Sequence, residues 1–225
     1  MAARLGCSWV EFDVRLTADG VPVLCHDSRL NRTTDRGGVV SRLKLAAVQE
    51  ADAGCKFDPR FAGERIPTLD QVLGAAGELG LGVNIEIKAD RGLAAATAAA
   101  VAESLERFGD RPRGILVSSF VTAALAAFRD RMPGVATGLL LGRFKRNWRD
   151  LLARLGCATL NLDQHRVTAG RVARIAAAGY PVLAYTVNDP ERAQTLFRWG
   201  VTSVFSDNPD IILASAAPSR QGVAG

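Results

Sequence analysis

The chain of 225 residues has no long apolar run, no paired cysteines and only two histidines. Its apolar stretches are short and broken by charge or glycine, so no helical membrane span is expected. The N-terminus carries no charged segment followed by an apolar one, which gives no sign of a signal peptide. Four cysteines, Cys7, Cys25, Cys55 and Cys157, show neither a CxxC pair nor zinc spacing. Without an export signal they read as reduced thiols of a cytoplasmic protein. A Gly-rich phosphate loop after the first strand is also absent, which argues against a doubly wound dinucleotide fold. The net charge of +5 favours an anionic partner, a phosphate-bearing small molecule among them. No basic helix with interleaved aromatics is present, so nucleic acid is not the expected partner. The basic cluster RFKRNWR at 143–149 reads most simply as the solvated start of a helix.

What is present is an alternation. Apolar runs bounded by glycine or proline occur at 83–88, 114–120, 136–142, 158–163, 181–187 and 202–207. They suit strands buried on both faces of a parallel sheet. Between them, 92–108, 121–131, 148–155, 169–178 and 190–199 repeat their apolar positions at helical spacing. Such a series of βα units makes a doubly wound sheet or a barrel. Polar residues favour the barrel. Glu86 and Lys88, Ser118 and Ser119, Asn161 and Asp163, Thr186 and Asn188, and Ser206 and Asp207 all fall at strand C-terminal ends. A barrel gathers those ends around one mouth.

The segment WVEFDVRLTADGVPVLCHD, residues 9–27, reads as a seventh strand (9–14), a turn, and a hairpin return at 21–27. With Asp19 and Gly20 as a two-residue turn, Asp13 would stand opposite His26. Seven parallel strands leave a barrel one short, with two unpaired edges. Glu11 and Asp13, two apart, face the same side of their strand, and Glu86 projects into the same mouth from the next. An oxygen-only set of carboxylates suits Mg²⁺ or Ca²⁺ rather than zinc. Lys88 points the same way and can pair with an anionic oxygen. His26 beside them can move a proton to or from an ester oxygen. Each feature alone has a plainer explanation, an exposed E-x-D edge, a surface E-I-K pair or a structural histidine. Together at one mouth they point to metal-assisted phosphate chemistry.

The order E-F-D, T-x-D-G, H-D, DAGCKF (52–57), GERIPTL (63–69), NIEIK, VSSF, YTVND and a closing SD at 206–207 resembles the bacterial glycerophosphodiester phosphodiesterases, small cytosolic type. The resemblance implies a TIM-type (β/α)8 barrel of the phospholipase-C-like phosphodiesterase kind. It implies metal-dependent hydrolysis of glycerophosphodiesters to sn-glycerol 3-phosphate and an alcohol, a step in glycerophospholipid headgroup catabolism. By it, Glu11, Asp13 and Glu86 are metal ligands for one divalent cation, Mg²⁺ or Ca²⁺. His26 is one of two catalytic histidines, Lys88 binds phosphate, and Tyr185 stands where an aromatic flanks the glycerol. The domain expectation is one incomplete barrel over 1–213, an insertion at about 28–66 capping the mouth, and a flexible tail at 214–225. The family's opening His-Arg-Gly and Pro-Glu-Asn-Thr do not occur in this sequence. The expectation is therefore a barrel without its first strand and most of its first helix, and an activity impaired by the absence of the first catalytic histidine. His165 reads as a polar loop residue. The alternative is a non-catalytic remnant that binds a phosphodiester or metal.

Overall fold

Seven strands run parallel in sequence order: β1 (Trp9–Leu16), β3 (Gly82–Ile87), β4 (Ile115–Ser119), β5 (Ala136–Leu141), β6 (Thr159–Asp163), β7 (Val182–Tyr185) and β8 (Ser203–Val204). A short β2 (Pro22–Leu24) returns antiparallel on the outer edge of β1. The computed structural model describes residues 1–109 and 112–216. Helices α2 (Leu69–Glu78), α3 (Ala94–Phe108), α4 (Thr122–Arg131), α5 (Trp148–Leu155), α6 (Ala169–Ala177) and α7 (Pro190–Arg198) each precede the next parallel strand, and α8 (Pro209–Ala216) follows β8. Residues 214–216 of the expected tail thus belong to α8; the remainder of that tail lies outside the described residues. No described helix is long and apolar enough to cross a membrane.

Side-chain alternation divides each strand between two environments. Val83, Ile85 and Ile87 of β3 and Val117 of β4 turn outward and are buried under α2, α3 and α4, with Phe128 fully enclosed among them. Leu139, Leu141, Leu160, Leu162, Val182 and Ala184 form the same layer on the other half, under α5, α6 and α7. Helix starts are locally specified. Thr68 and Gln71 form a reciprocal capping box on α2, Thr168 caps α6, and Asp189 followed by Pro190 opens α7. On the inner face Trp9 covers Gly82 and Gly114. A Cβ at those glycines would stand 2.5 and 2.8 Å from the indole ring. The absence of side chains there lets one large ring floor the barrel.

The sheet curls until its ends are neighbours without pairing. Helix α8 packs against the turn at Ala2–Leu5, with Leu213 Cδ1 4.0 Å from the Cβ position of Gly6. Among the described residues β8 bonds only to β7, and β1 carries β2 only along Val14–Leu16. The two unpaired edges expected from the strand count are therefore present, one at β8 and one along the first half of β1.

The hairpin register differs from expectation by one residue. Val14 pairs Leu24 and the Cys25 amide donates to the Asp13 carbonyl at 3.0 Å, so Asp13 faces Cys25 and not His26. The cause is the turn. Thr17 N–H donates to the Val21 carbonyl at 3.0 Å, leaving a three-residue loop in which Gly20, at φ 81°, takes the left-handed position. The Thr17 hydroxyl secures it by donating to Asp19 Oδ1 (2.6 Å) and accepting the Val21 N–H (3.0 Å). After β2 the chain leaves the sheet through short 3₁₀ turns at Leu30–Arg32 and Val40–Arg42, α1 (Leu45–Gln49) and a turn at Pro59–Phe61. This excursion buries Leu30, Val40, Val48, Ala51 and Ile66 against Val23 of β2.

Candidate active site

Register brings the acidic residues together. Asp13 is paired with Glu86 across β1 and β3, and Glu11 with Asn84, one step down the same inner face. One carboxylate oxygen from each of Glu11, Asp13 and Glu86 lies within 4.8 Å of the others. Oxygens around a cation at about 2.1–2.5 Å span about 3–5 Å from one another, so the set has the dimensions and hardness for Mg²⁺ or Ca²⁺. Lys88 Nζ stands 2.6 Å from Glu86 Oε1 and 3.3 Å from Asp13 Oδ1. With all three acids ionised, one ammonium leaves the cluster with negative charge in excess.

The titration of the cluster follows from this crowding. Burial between the strands, reinforced by the charges of Asp13 and Glu86, pushes the Glu11 carboxyl up to about 8, although its side chain keeps a face to solvent at the seam. Burial also raises Glu86, with Lys88 acting against the shift. For Lys88 burial works against the ammonium, but the bond to Glu86 and the charges of Glu86 and Asp13 outweigh it and raise the group. A second cation would relieve what Lys88 only partly offsets.

His26 occupies an adjoining cavity of about 390 Å³, lined by Arg15, His26, Asp27, Ser28, Arg29 and Lys88. Its Nδ1 is 2.8 Å from Asp27 Oδ1. Asp27 is itself gripped by Arg32 through Nε at 2.5 Å and Nη2 at 3.1 Å. Those bonds from Arg32 and His26 hold the Asp27 carboxyl far below the usual range. An ionised carboxylate only accepts, so Nδ1 carries the hydrogen and Nε2 is left free for proton transfer. His165 lies elsewhere, exposed in the turn at Gln164–Arg166, with its backbone N–H on Asp163 Oδ1 at 2.9 Å.

The sequence profile of the Glycerophosphoryl diester phosphodiesterase family matches residues 1–211. A glycerophosphodiester phosphodiesterase of Caldanaerobacter subterraneus is 30% identical over 213 residues, which is 94% of this chain and 87% of the relative. The chain belongs to the glycerophosphoryl diester phosphodiesterase family. Among solved structures, an Oleispira antarctica phosphodiesterase in complex with the product sn-glycerol-3-phosphate superposes with a TM-score of 0.93 at 37% identity, covering 95% of this chain and 87% of that one. A glycerophosphodiester phosphodiesterase from Agrobacterium tumefaciens gives 0.77 at 26% identity, with coverages of 95% and 89%. These two structures share the curled α/β architecture described above.

The carboxylate cluster and its cavity bring together more residues than the set expected from the sequence. Tyr185 is half-buried, and burial raises its pKa, with the charges of Asp163 and Glu86 adding to the shift and the Asp163 backbone acting against it. Its ring meets Phe120 edge-on at 5.7 Å, and Lys88 Nζ lies 5.4 Å from the Phe120 centroid. Phe120 thus forms a wall between lysine and tyrosine. Arg15 is the other addition. It donates to the His26 carbonyl from Nε (3.0 Å) and Nη2 (2.8 Å), and from Nη1 to the Lys88 carbonyl (3.1 Å) and Asp90 Oδ1 (2.6 Å). Asp90 in turn accepts from Ser41 of the β2–α2 excursion at 2.7 Å. One guanidinium therefore ties the backbone at both His26 and Lys88. Ser119, by contrast, points outward and serves the backbone, donating to the Ile87 carbonyl at 2.6 Å.

Proposed function

We propose that this chain hydrolyses glycerophosphodiesters, products of phospholipid deacylation, to sn-glycerol 3-phosphate and an alcohol, using one divalent cation. The observation that carries this is the convergence of Glu11, Asp13 and Glu86 on one point, with Lys88 bridging toward the cavity that His26 lines. When bound, the cation would neutralise phosphate charge and hold the glycerol hydroxyl. Lys88 and Arg29 supply positive charge to the phosphate, and Phe120 with Tyr185 gives the glycerol an aromatic wall. In the reaction the phosphorus–oxygen bond to the alcohol breaks and one to a water oxygen forms. His26 Nε2, with its ring held by Asp27, gives the departing alcohol its proton or takes one from the attacking oxygen. Four free cysteines accord with the cytoplasm as its place of work.

Of the two histidines only His26 lines the cavity, so acid and base roles fall on one imidazole and turnover should be slow. The same observation favours a second reading, phosphodiester binding without turnover. The test is release of glycerol 3-phosphate from glycerophosphocholine by residues 1–225, with Mg²⁺ or Ca²⁺ and with a chelator. Slow, cation-dependent release that is lost in His26→Asn supports hydrolysis. Glycerol 3-phosphate binding with no release supports the second reading, and release unaffected by chelator refutes the cation's part.

A further inference from the structure

The charge of this protein is concentrated in one place. The loop after β5 and the first turn of α5 carry Arg143, Lys145, Arg146 and Arg149, interrupted by no acid. Facing Arg146, the segment after β6 and the start of α6 contributes Arg171 and Arg174 to a shared cleft of about 730 Å³, with Arg166 just upstream. Setting these seven aside leaves 21 basic against 23 acidic side chains, so the rest of the molecule has a net charge of −2. Among the described residues none of the seven forms an ion pair with a carboxylate. Phe144 organises them without neutralising them. The guanidinium of Arg171 stands 4.7 Å and that of Arg174 5.8 Å from its ring centroid. The ring is backed by buried Trp148 at 6.4 Å, itself edge-on to Tyr180 at 6.3 Å. This is a field of cations on a firm aromatic base, with no carboxylate ion-paired to it among the described residues.

We propose that this cleft and its rim dock the protein on anionic phospholipid bilayers. A cluster of four to eight basic side chains is the size that such surfaces hold electrostatically. The patch follows the C-terminal ends of β5 and β6, and the Glu11, Asp13, Glu86 and Lys88 cluster opens at the C-terminal ends of β1 and β3. In a parallel curled sheet these are the same face, so docking turns the mouth toward the headgroup layer. Nucleic acid is the poorer fit. Phe144 lies beneath guanidinium groups and Trp148 is buried, so neither offers the free ring that stacks on bases.

The docking itself stands apart from the proposed hydrolysis, and its test is scored separately. Residues 1–225 are sedimented with vesicles of phosphatidylcholine alone and with 30% phosphatidylglycerol. Binding should require the anionic lipid and be lost in 0.5 M NaCl. Arg146→Glu/Arg171→Glu/Arg174→Glu should bind at least about 100-fold more weakly, taking about 5-fold for each of the three positive charges removed, before the repulsion of the three added carboxylates. Arg171 also packs on Phe144, so Arg143→Glu/Lys145→Glu/Arg149→Glu, which alters exposed rim residues only, is run beside it and should lose a similar factor. No binding to anionic vesicles, equal binding by both variants and the parent, or a preference for duplex DNA over vesicles in competition would each overturn the proposal. Vesicle binding by a chain that releases no glycerol 3-phosphate would count against hydrolysis and leave docking standing.

Discussion

In the proposed site, the proton on Glu11 would make cation affinity a measurable function of pH. A carboxyl raised to about 8 is mostly protonated at neutral pH in the metal-free protein, and a cation must displace that proton. For one competing proton, apparent affinity should lie about 100-fold below its plateau at pH 6, about 10-fold below at pH 7 and about 2-fold below at pH 8. Glu86, also raised by burial, steepens the slope and does not reverse it. The sign for stability runs the other way. Because the folded carboxyl binds its proton more tightly than the unfolded one, the contribution of Glu11 to metal-free stability is greatest below the unfolded pKa. It is lost as pH climbs from the unfolded value of 4.5 through about 8. Saturating cation should therefore raise Tm by more at pH 8.5 than at pH 6. Isothermal titration of Mg²⁺ and of Ca²⁺ into residues 1–225, at pH 6, 7 and 8 and in two buffers of different ionisation enthalpy, gives affinity and proton count together. About 0.9 proton should leave per cation bound at pH 7. Affinity flat across this range, with no proton released, would refute the assignment of Glu11 as a ligand. Glu11→Gln should weaken binding and flatten the slope together.

Three further changes separate the parts of the site and its support. Lys88→Met removes the ammonium beside Glu86 and Asp13, so cation affinity at pH 9 should rise while glycerol 3-phosphate affinity falls, each by about 10-fold; calorimetry showing both moving the same way would contradict the role given to Lys88. Arg15→Gln releases the His26 and Lys88 carbonyls and leaves Asp90 with Ser41 alone. It should cost about 2–4 kcal/mol in urea unfolding and speed amide exchange at 25–28 and 88–90, and a loss under about 0.5 kcal/mol would remove Arg15 from the argument. Gly82→Ala places a methyl 2.5 Å from the Trp9 ring and should destabilise by about 1–3 kcal/mol. The loss should shrink when combined with Trp9→Leu, and an additive double mutant would show that the ring is not what the methyl meets.

The strands and helices were readable because each βα unit states its own boundaries, with apolar runs closed by glycine or proline and helices opened by Thr68, Thr168 and Asp189. The carboxylate cluster was readable for the same local reason: residues 11 and 13 must share a face, and β3 is the next parallel strand in sequence. Arg15 continues that spacing, at i+2 from Asp13, so periodicity alone can carry it into the site. What the carboxylate pattern does not reveal is that it points back at the chain, holding two carbonyls rather than a ligand. The hairpin register escaped because one hydroxyl, that of Thr17, decides between a two- and a three-residue loop, and both fit T-A-D-G. Phe120 and the basic cleft escaped for a different reason. Residue 120 follows an unremarkable strand, and 143–149 reads as a helix flank, because each acquires its meaning from a loop some tens of residues away. Curvature of the sheet brings Phe120 between Lys88 and Tyr185, and sets Arg146 across from Arg171 and Arg174. Chemistry carried by one strand and its neighbour can be read from spacing, whereas chemistry assembled across loops requires the barrel to have closed far enough to face those loops toward one another.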